Sequence, residues 1–109
     1  MARDKGLEEL LNGDLQGVAG LTQKAMFGGW AWLMRGNLLC AARTAGMLMR
    51  LGREQEVWAL EIPGVMAMFM RERRMHGWVR ASERVYGDDA LRRKLLNAAL
   101  EFNRTLPAK

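Results

Sequence analysis

Cys40 is the only cysteine in the chain and His76 the only histidine. A thiol nucleophile needs a nearby base, and His76 is the sole imidazole available to Cys40. Both fall in segments that read as strands, so contact between them is open, but no local motif ties them together. The reading adopted for Cys40 is a small buried apolar side chain, and for His76 a surface or edge position. One cysteine excludes an intramolecular disulfide framework and a multi-cysteine zinc site. One histidine removes most imidazole-based metal and relay chemistry. Asp88 and Asp89 are adjacent acids of a type suited to acid–base catalysis. They precede an apolar helical stripe, and capping by one or the other is the better account. Gly28 and Gly29 would cradle a phosphate if a helix followed them. Trp30 to Met34 follows instead and reads as a strand, so the pair is neither a P-loop nor a dinucleotide fingerprint. No catalytic residue, cofactor or metal is assigned.

Charge is the next chemical resource. Lys and Arg number 17 against 12 Asp and Glu, a net charge of +5, and the sequence pI is about 10.1. A basic balance favours nucleic acid, anionic membrane or acidic partners. The positive residues run from Arg3 to Lys109 and are interleaved with acids. Two clusters stand out: Arg71, Arg73 and Arg74 around Glu72, and Arg92, Arg93 and Lys94. Each is a candidate phosphate patch, set against the reading as ordinary solvated charge. No helix-turn-helix pattern is present.

The elements that must position these residues fit one domain over residues 1–109. Half the residues are hydrophobic and 27% are charged, a globular composition. Arg3, Asp4, Lys5, Glu8 and Glu9 break any apolar leader. The longest uncharged apolar run, 25–34, is too short to cross a membrane. A lone Cys40 fits a reducing cytoplasm. The expected location is therefore cytoplasmic.

Leu7, Leu10 and Leu11 predict an amphipathic helix over 3–12, stopped at Gly13. Residues 14–25 read as irregular, with a short extended piece at 21–25. Strands are expected at 30–34, 38–43 and 47–51, joined by turns at Arg35-Gly36-Asn37 and Thr44-Ala45-Gly46. A helix over 53–60 ends at Pro63-Gly64. Strands at 65–70 and 75–81 flank a charged turn, and Gly77 marks a bulge or close contact. A long C-terminal helix carries the stripe Leu91, Leu95, Ala98, Phe102 and Leu106 and ends by Pro107. The expectation is an α+β two-layer sandwich, α-β3-α-β2-α, with a largely antiparallel five-stranded sheet.

These strands alternate poorly between apolar and polar residues. Met66, Met68 and Met70 share one face while Ala67 and Phe69 share the other. Trp30 and Trp32 oppose Ala31 and Leu33 in the same way. Both sheet faces therefore look apolar, and few helices are available to cover them. The expectation is a second face buried in a homodimer or against a partner; the alternative is a curved sheet with some exposed Met.

Residues 22–40, TQKAMFGGWAWLMRGNLLC, resemble the signature of the TfoX/Sxy N-terminal domain family: a Lys, Met-Phe-Gly-Gly, a hydrophobic strand, Gly-Asn, and a Cys. Residues 74–79, RMHGWV, are similar to that family's Pro-Met-x-Gly-Trp-Val stretch, with Arg74 where Pro is common. Leu106-Pro107 after a helix is also family-like. The positions that carry the resemblance are Lys24, Met26, Phe27, Gly28, Gly29, Gly36, Asn37, Gly77 and Trp78. It implies an α-β3-α-β2-α domain. The best-known members are competence regulators that act with the cyclic-AMP receptor protein and carry a further C-terminal domain that these residues do not include.

The expected function is a non-enzymatic protein-interaction module, a transcription- or competence-related accessory regulator. Its candidate surface combines Lys24, Phe27, Trp30 or Trp32, and the Arg71, Arg73, Arg74 turn. The expected partner is a protein of the transcription machinery, with a homodimer as a further possibility. The alternative is direct nucleic-acid binding through the Arg clusters.

Overall fold

A computed structural model describes residues 4–109. Arg3, the expected start of the first helix, lies outside the described residues. The elements run α1 Lys5–Leu15, β1 Leu21–Met26, β2 Gly29–Met34, β3 Asn37–Arg43, β4 Gly46–Arg50, α2 Arg53–Ala59, β5 Val65–Met70, β6 Arg73–Ala81, α3 Glu83–Tyr86 and α4 Asp89–Arg104. The class is α+β, as expected. The sheet has six strands rather than five, in the order β1-β2-β3-β4-β6-β5. Every pairing is antiparallel.

The additional strand is β1. Its residues pair with the whole of β2, from Leu21 opposite Met34 to Met26 opposite Gly29. Only its two end residues are even half-buried, so this edge strand carries almost no hydrophobic signal. The turn after it is Phe27-Gly28, with φ of 55° and 72°. Two consecutive positive φ values mark the tight hairpin whose twist matches paired strands. Arg35-Gly36 repeats the device, at 52° and 83°.

Asp4 caps α1, its Oδ1 accepting from the Leu7 N–H at 3.1 Å. This helix passes through Gly13 and ends at Leu15, not at the expected stop. Leu7, Leu11 and Leu15 are buried on one stripe, and burying Leu15 outweighs the roughly 1 kcal/mol cost of an internal glycine. Asp88 is the N-cap of α4, accepting from the N–H groups of Ala90 and Leu91. The buried stripe of α4 is rotated from the expected one. It comprises Arg92, Leu95, Leu96, Ala98, Ala99, Leu100 and Asn103, while Leu91, Phe102 and Leu106 are half-exposed. The short helix α3 was not expected.

All four helices pack on one face of the sheet. That core joins Leu7, Leu11, Val85, Leu95 and Ala99 to Trp32, Leu39, Cys40, Met47, Met49 and Val79. A second, smaller core lies on the opposite face and draws on strands and turns alone: Ala31, Leu33, Leu38, Ala41, Leu48 and Met68, with Met26, Phe27, Met75 and Trp78 at its margin. No helix covers it. The sheet curls instead, bringing the Phe27 ring from the β1–β2 turn to within 5.9 Å of Trp78 on β6 in an edge-on contact. That contact spans the intervening β3 and β4. The curl buries Ala31, Ala41 and Leu48 completely without a second copy of the chain, so the apolar second face does not by itself require a dimer.

Candidate interaction surface

The six strands contain no Asp or Glu. All 12 acids of the chain lie in helices, caps and turns. The strands carry Lys24, Arg43, Arg50, Arg73, Arg74 and Arg80. Direct cross-strand partners point to one face of a sheet. Lys24 opposes Ala31, Ala31 opposes Ala41, Ala41 opposes Leu48, Leu48 opposes Arg80, and Arg80 opposes Met66. This row crosses the whole sheet on the helix-free face, with a cation near each end and an apolar floor between. Arg43, two residues beyond Ala41, and Arg50, two beyond Leu48, share that face. Arg50 lies 5.5 Å from the Trp78 ring centroid and 5.5 Å from that of Phe102 on α4, near enough for a cation–π contact with each, so it reaches round the end of the sheet to the helix layer.

Of the expected surface residues, Lys24 is exposed and Phe27 half-buried on this face. Trp30 and Trp32 belong to the other side. Trp32 is 1% exposed and its Nε1 donates to Asn12 Oδ1 at 3.2 Å, so it is a core residue and drops out of any recognition surface. Trp30 packs half-buried against the helix-side core and donates to Gln23 Oε1 at 2.7 Å. Arg71 and Arg73 are exposed around the β5–β6 turn. Arg74 is held by Glu56 at 3.1 Å. The structure thus groups Lys24 and Phe27 with Arg43, Arg50, Trp78 and Arg80, and leaves Arg71, Arg73 and Arg74 as a separate patch at a hairpin end, where the turn is Arg71-Glu72 alone because Arg73 and Arg74 already pair with β5 in β6. Arg43 and Arg80 were not singled out from sequence, because each stands alone in an apolar run; the absence of acids from every strand was the available signal.

The second basic cluster is already occupied. Arg92 is buried, with Nε 2.5 Å from Asp14 Oδ2 and Nη1 2.8 Å from Asp89 Oδ1. Arg93 Nε reaches Asp14 Oδ1 at 3.2 Å. Lys94 Nζ sits 4.8 Å from the Trp58 ring centroid, beside a shallow groove of about 590 Å³ between α2 and α4. As a phosphate patch this cluster offers little.

Most residues that carry the family resemblance have local structural work. Gly29 admits no side chain, since a Cβ there would lie 2.2 Å from the Ala42 carbonyl oxygen. Asn37 is buried and its Nδ2 donates to the Pro107 carbonyl at 2.9 Å, so the Gly-Asn turn and the Leu-Pro tail hold each other. Asn103 Nδ2 donates to the carbonyls of Asn37 and Leu38, and Arg35 Nη2 to that of Asn103 at 3.0 Å. Neither Asn103 nor Arg35 was singled out from sequence. The Gly77 N–H donates to Glu56 Oε2 at 2.7 Å, and its carbonyl accepts from Leu51 and Gly52. That pins the start of α2 to the irregular stretch of β6.

Cys40 is fully buried on the helix side. Burial, reinforced by the negative charge of Asp14, pushes its thiol well above the ordinary range. His76 is exposed on β6, and β4 separates that strand from β3, so the structure does not assemble a Cys–His pair. Among the described residues no group of His, Cys, Asp and Glu has the arrangement of a metal site, and no helix is long and apolar enough to cross a membrane. Comparison with known proteins finds no family model, no curated protein and no solved structure that matches this chain.

Proposed function

We propose that this chain is a non-enzymatic interaction module that docks an acidic protein segment on the helix-free face of its sheet. The observation that carries this reading is the acid-free row that places Lys24 and Arg80 on one face, beside a floor that the curl of the sheet already buries. Exposed Met66 and Met70 extend the apolar margin on β5. Cations beside exposed methionines suit an amphipathic acidic partner, with charge setting the encounter and methionine the adaptable contact. The resemblance of residues 22–40 and 74–79 to TfoX/Sxy N-terminal domains supports a transcription-related role for that partner.

Direct nucleic-acid binding is the second reading, favoured by the same acid-free face and by the net charge of +5. The half-buried Phe27 and Trp78 rings are engaged with each other, which leaves them poor platforms for stacking bases. The test compares wild type with a Lys24→Glu/Arg80→Glu double variant, by affinity capture and by anisotropy with a labelled duplex at low and physiological salt. A partner held by wild type and lost by the variant supports the module. Equal capture by both overturns the surface. Duplex binding that survives physiological salt and is lost in the variant transfers the face to nucleic acid.

A further inference from the structure

Arg43 and Arg80 are the two cations on the helix-free face whose surroundings are least complete. The Nε atoms of both are buried and have no hydrogen-bond partner. Among the described residues no carboxylate lies within ion-pair distance of either guanidinium, and the one side-chain hydrogen bond of Arg80 is from Nη2 to the Met66 thioether at 3.7 Å, a weak acceptor. Both arginines are half-exposed overall, but a buried polar atom left without a partner is costly. Here two like charges share one face.

The backbone makes room for them. A Cβ at Gly29 would lie 2.8 Å from Arg43 Cγ, and a Cβ at Gly46 would lie 3.3 Å from Arg80 Cγ. Gly46 is also the cross-strand partner of Arg43. Two glycines thus leave channels in the sheet surface along which the arginine stems run, one on each side of the β3–β4 hairpin. Burial, and then the positive charge of Arg80, holds the Arg43 guanidinium below its ordinary pKa, as expected of two cations held near each other without an anion.

We infer that Arg43 and Arg80 together form an oxyanion site for a dianionic phosphate group of the monoester class. Arginine forks match both carboxylate and phosphate. Two guanidiniums with no carboxylate within ion-pair distance among the described residues call for two negative charges on one group, which a phosphate monoester carries near neutral pH. A carboxylate or a backbone phosphodiester supplies only one. The inference rests on the reading of this face as the recognition face, and it identifies the chemistry recognised there. The group would arrive either on a free phosphorylated compound or on a phosphorylated side chain of the docked segment.

The test is an NMR titration of ¹⁵N-labelled full-length chain at constant ionic strength, following the Nε–Hε cross-peaks of Arg43 and Arg80. The probes are inorganic phosphate, acetate, an acidic peptide with and without one phosphoserine, and a short DNA duplex. Both cross-peaks are expected to move together and saturate with phosphate, with acetate at least about 10-fold weaker, the factor that one charge-assisted hydrogen bond supplies. Arg43→Gln and Arg80→Gln are each expected to weaken phosphate by a similar factor while keeping the native spectrum. A phosphopeptide binding more tightly than inorganic phosphate assigns the group to a partner protein, and equal binding assigns it to a free compound. Cross-peaks that stay still, acetate acting as strongly as phosphate, or a duplex outcompeting the monoester at physiological salt would each overturn the site. The wild-type titration decides even if a variant fails to fold. Phosphate binding with no loss of captured partner in the Lys24→Glu/Arg80→Glu variant would sink the docking proposal alone; partner loss with silent cross-peaks would sink this one alone.

Discussion

Arg92 and Asp14, on helices at opposite ends of the chain, form an ion pair whose two side chains are 2% and 7% exposed. Arg92 Nη1 also donates to the Tyr86 carbonyl at 2.9 Å, so this guanidinium ties α1, α3 and α4 together. Burial raises the Asp14 carboxyl, but the hydrogen bonds and charges of Arg92 and Arg93 outweigh it and hold the pKa below its ordinary value of 3.8. Removing one partner of a buried pair strands the other. Arg92→Ala is expected to cost about 3–5 kcal/mol in urea unfolding. Because the folded pKa is depressed, the contribution is complete above pH about 4 and fades as pH falls through the folded value. Asp14→Asn should flatten that acid limb of the stability profile. A limb of unchanged steepness would count against the pair.

Glu56 bridges α2 to β6, accepting from the Gly77 N–H and from Arg74. Glu56→Ala leaves the Gly77 N–H buried with no acceptor, a loss of about 1–3 kcal/mol. Glu56→Gln keeps an oxygen for Gly77 and should recover most of that stability. Equal losses for both substitutions would mean that charge, not the backbone bond, is what matters.

Two glycines should respond with opposite signs. Gly29→Ala forces a methyl against the Ala42 carbonyl and is expected to cost about 1–3 kcal/mol through overpacking. Gly13 sits inside α1 with nothing within 4 Å of its Cβ position. Gly13→Ala should stabilise by about 0.5–1 kcal/mol. Thermal melts of the two variants moving in the same direction would contradict the packing described here.

Asn37 anchors the tail through Pro107, and the Lys109 N–H donates to the Arg35 carbonyl at 2.9 Å. In Asn37→Ala the amide of Lys109 should exchange with solvent distinctly faster while amides in α4 keep their protection. Unchanged exchange at Lys109 would mean that the tail is held by other contacts.

Much of this architecture is readable from local pattern. The strand at 65–70 coincides with β5, and the strand at 30–34 differs from β2 only by Gly29, because both are short apolar runs bounded by turn residues. Pattern fails where burial depends on a distant partner. Arg92 reads as surface charge until Asp14, contributed by α1, neutralises it, and that rotates the α4 stripe. Trp32 reads as a recognition residue until its indole N–H finds Asn12. β1 reads from sequence only as a short extended piece at 21–25, not as a sheet member, because an edge strand needs no apolar face. The candidate site was half legible: Lys24 and Phe27 were identified, whereas Arg43 and Arg80 become neighbours only across Gly46 of the intervening β4.

The edge position of β5 has a colloidal consequence. Its six residues, VMAMFM, carry no charge, and Met66, Phe69 and Met70 are exposed. An uncharged apolar edge is a template for strand addition between molecules. The register break between Ala67 and Phe69 spoils its flatness, and Arg71, Glu72, Arg73 and Arg74 stand immediately beyond it as gatekeepers. Mutual repulsion between molecules of net charge +5 adds protection at low salt. At physiological ionic strength that repulsion reaches only about 8 Å. The same screening that loosens an acidic partner therefore lets these edges meet, and self-association should rise as docking weakens.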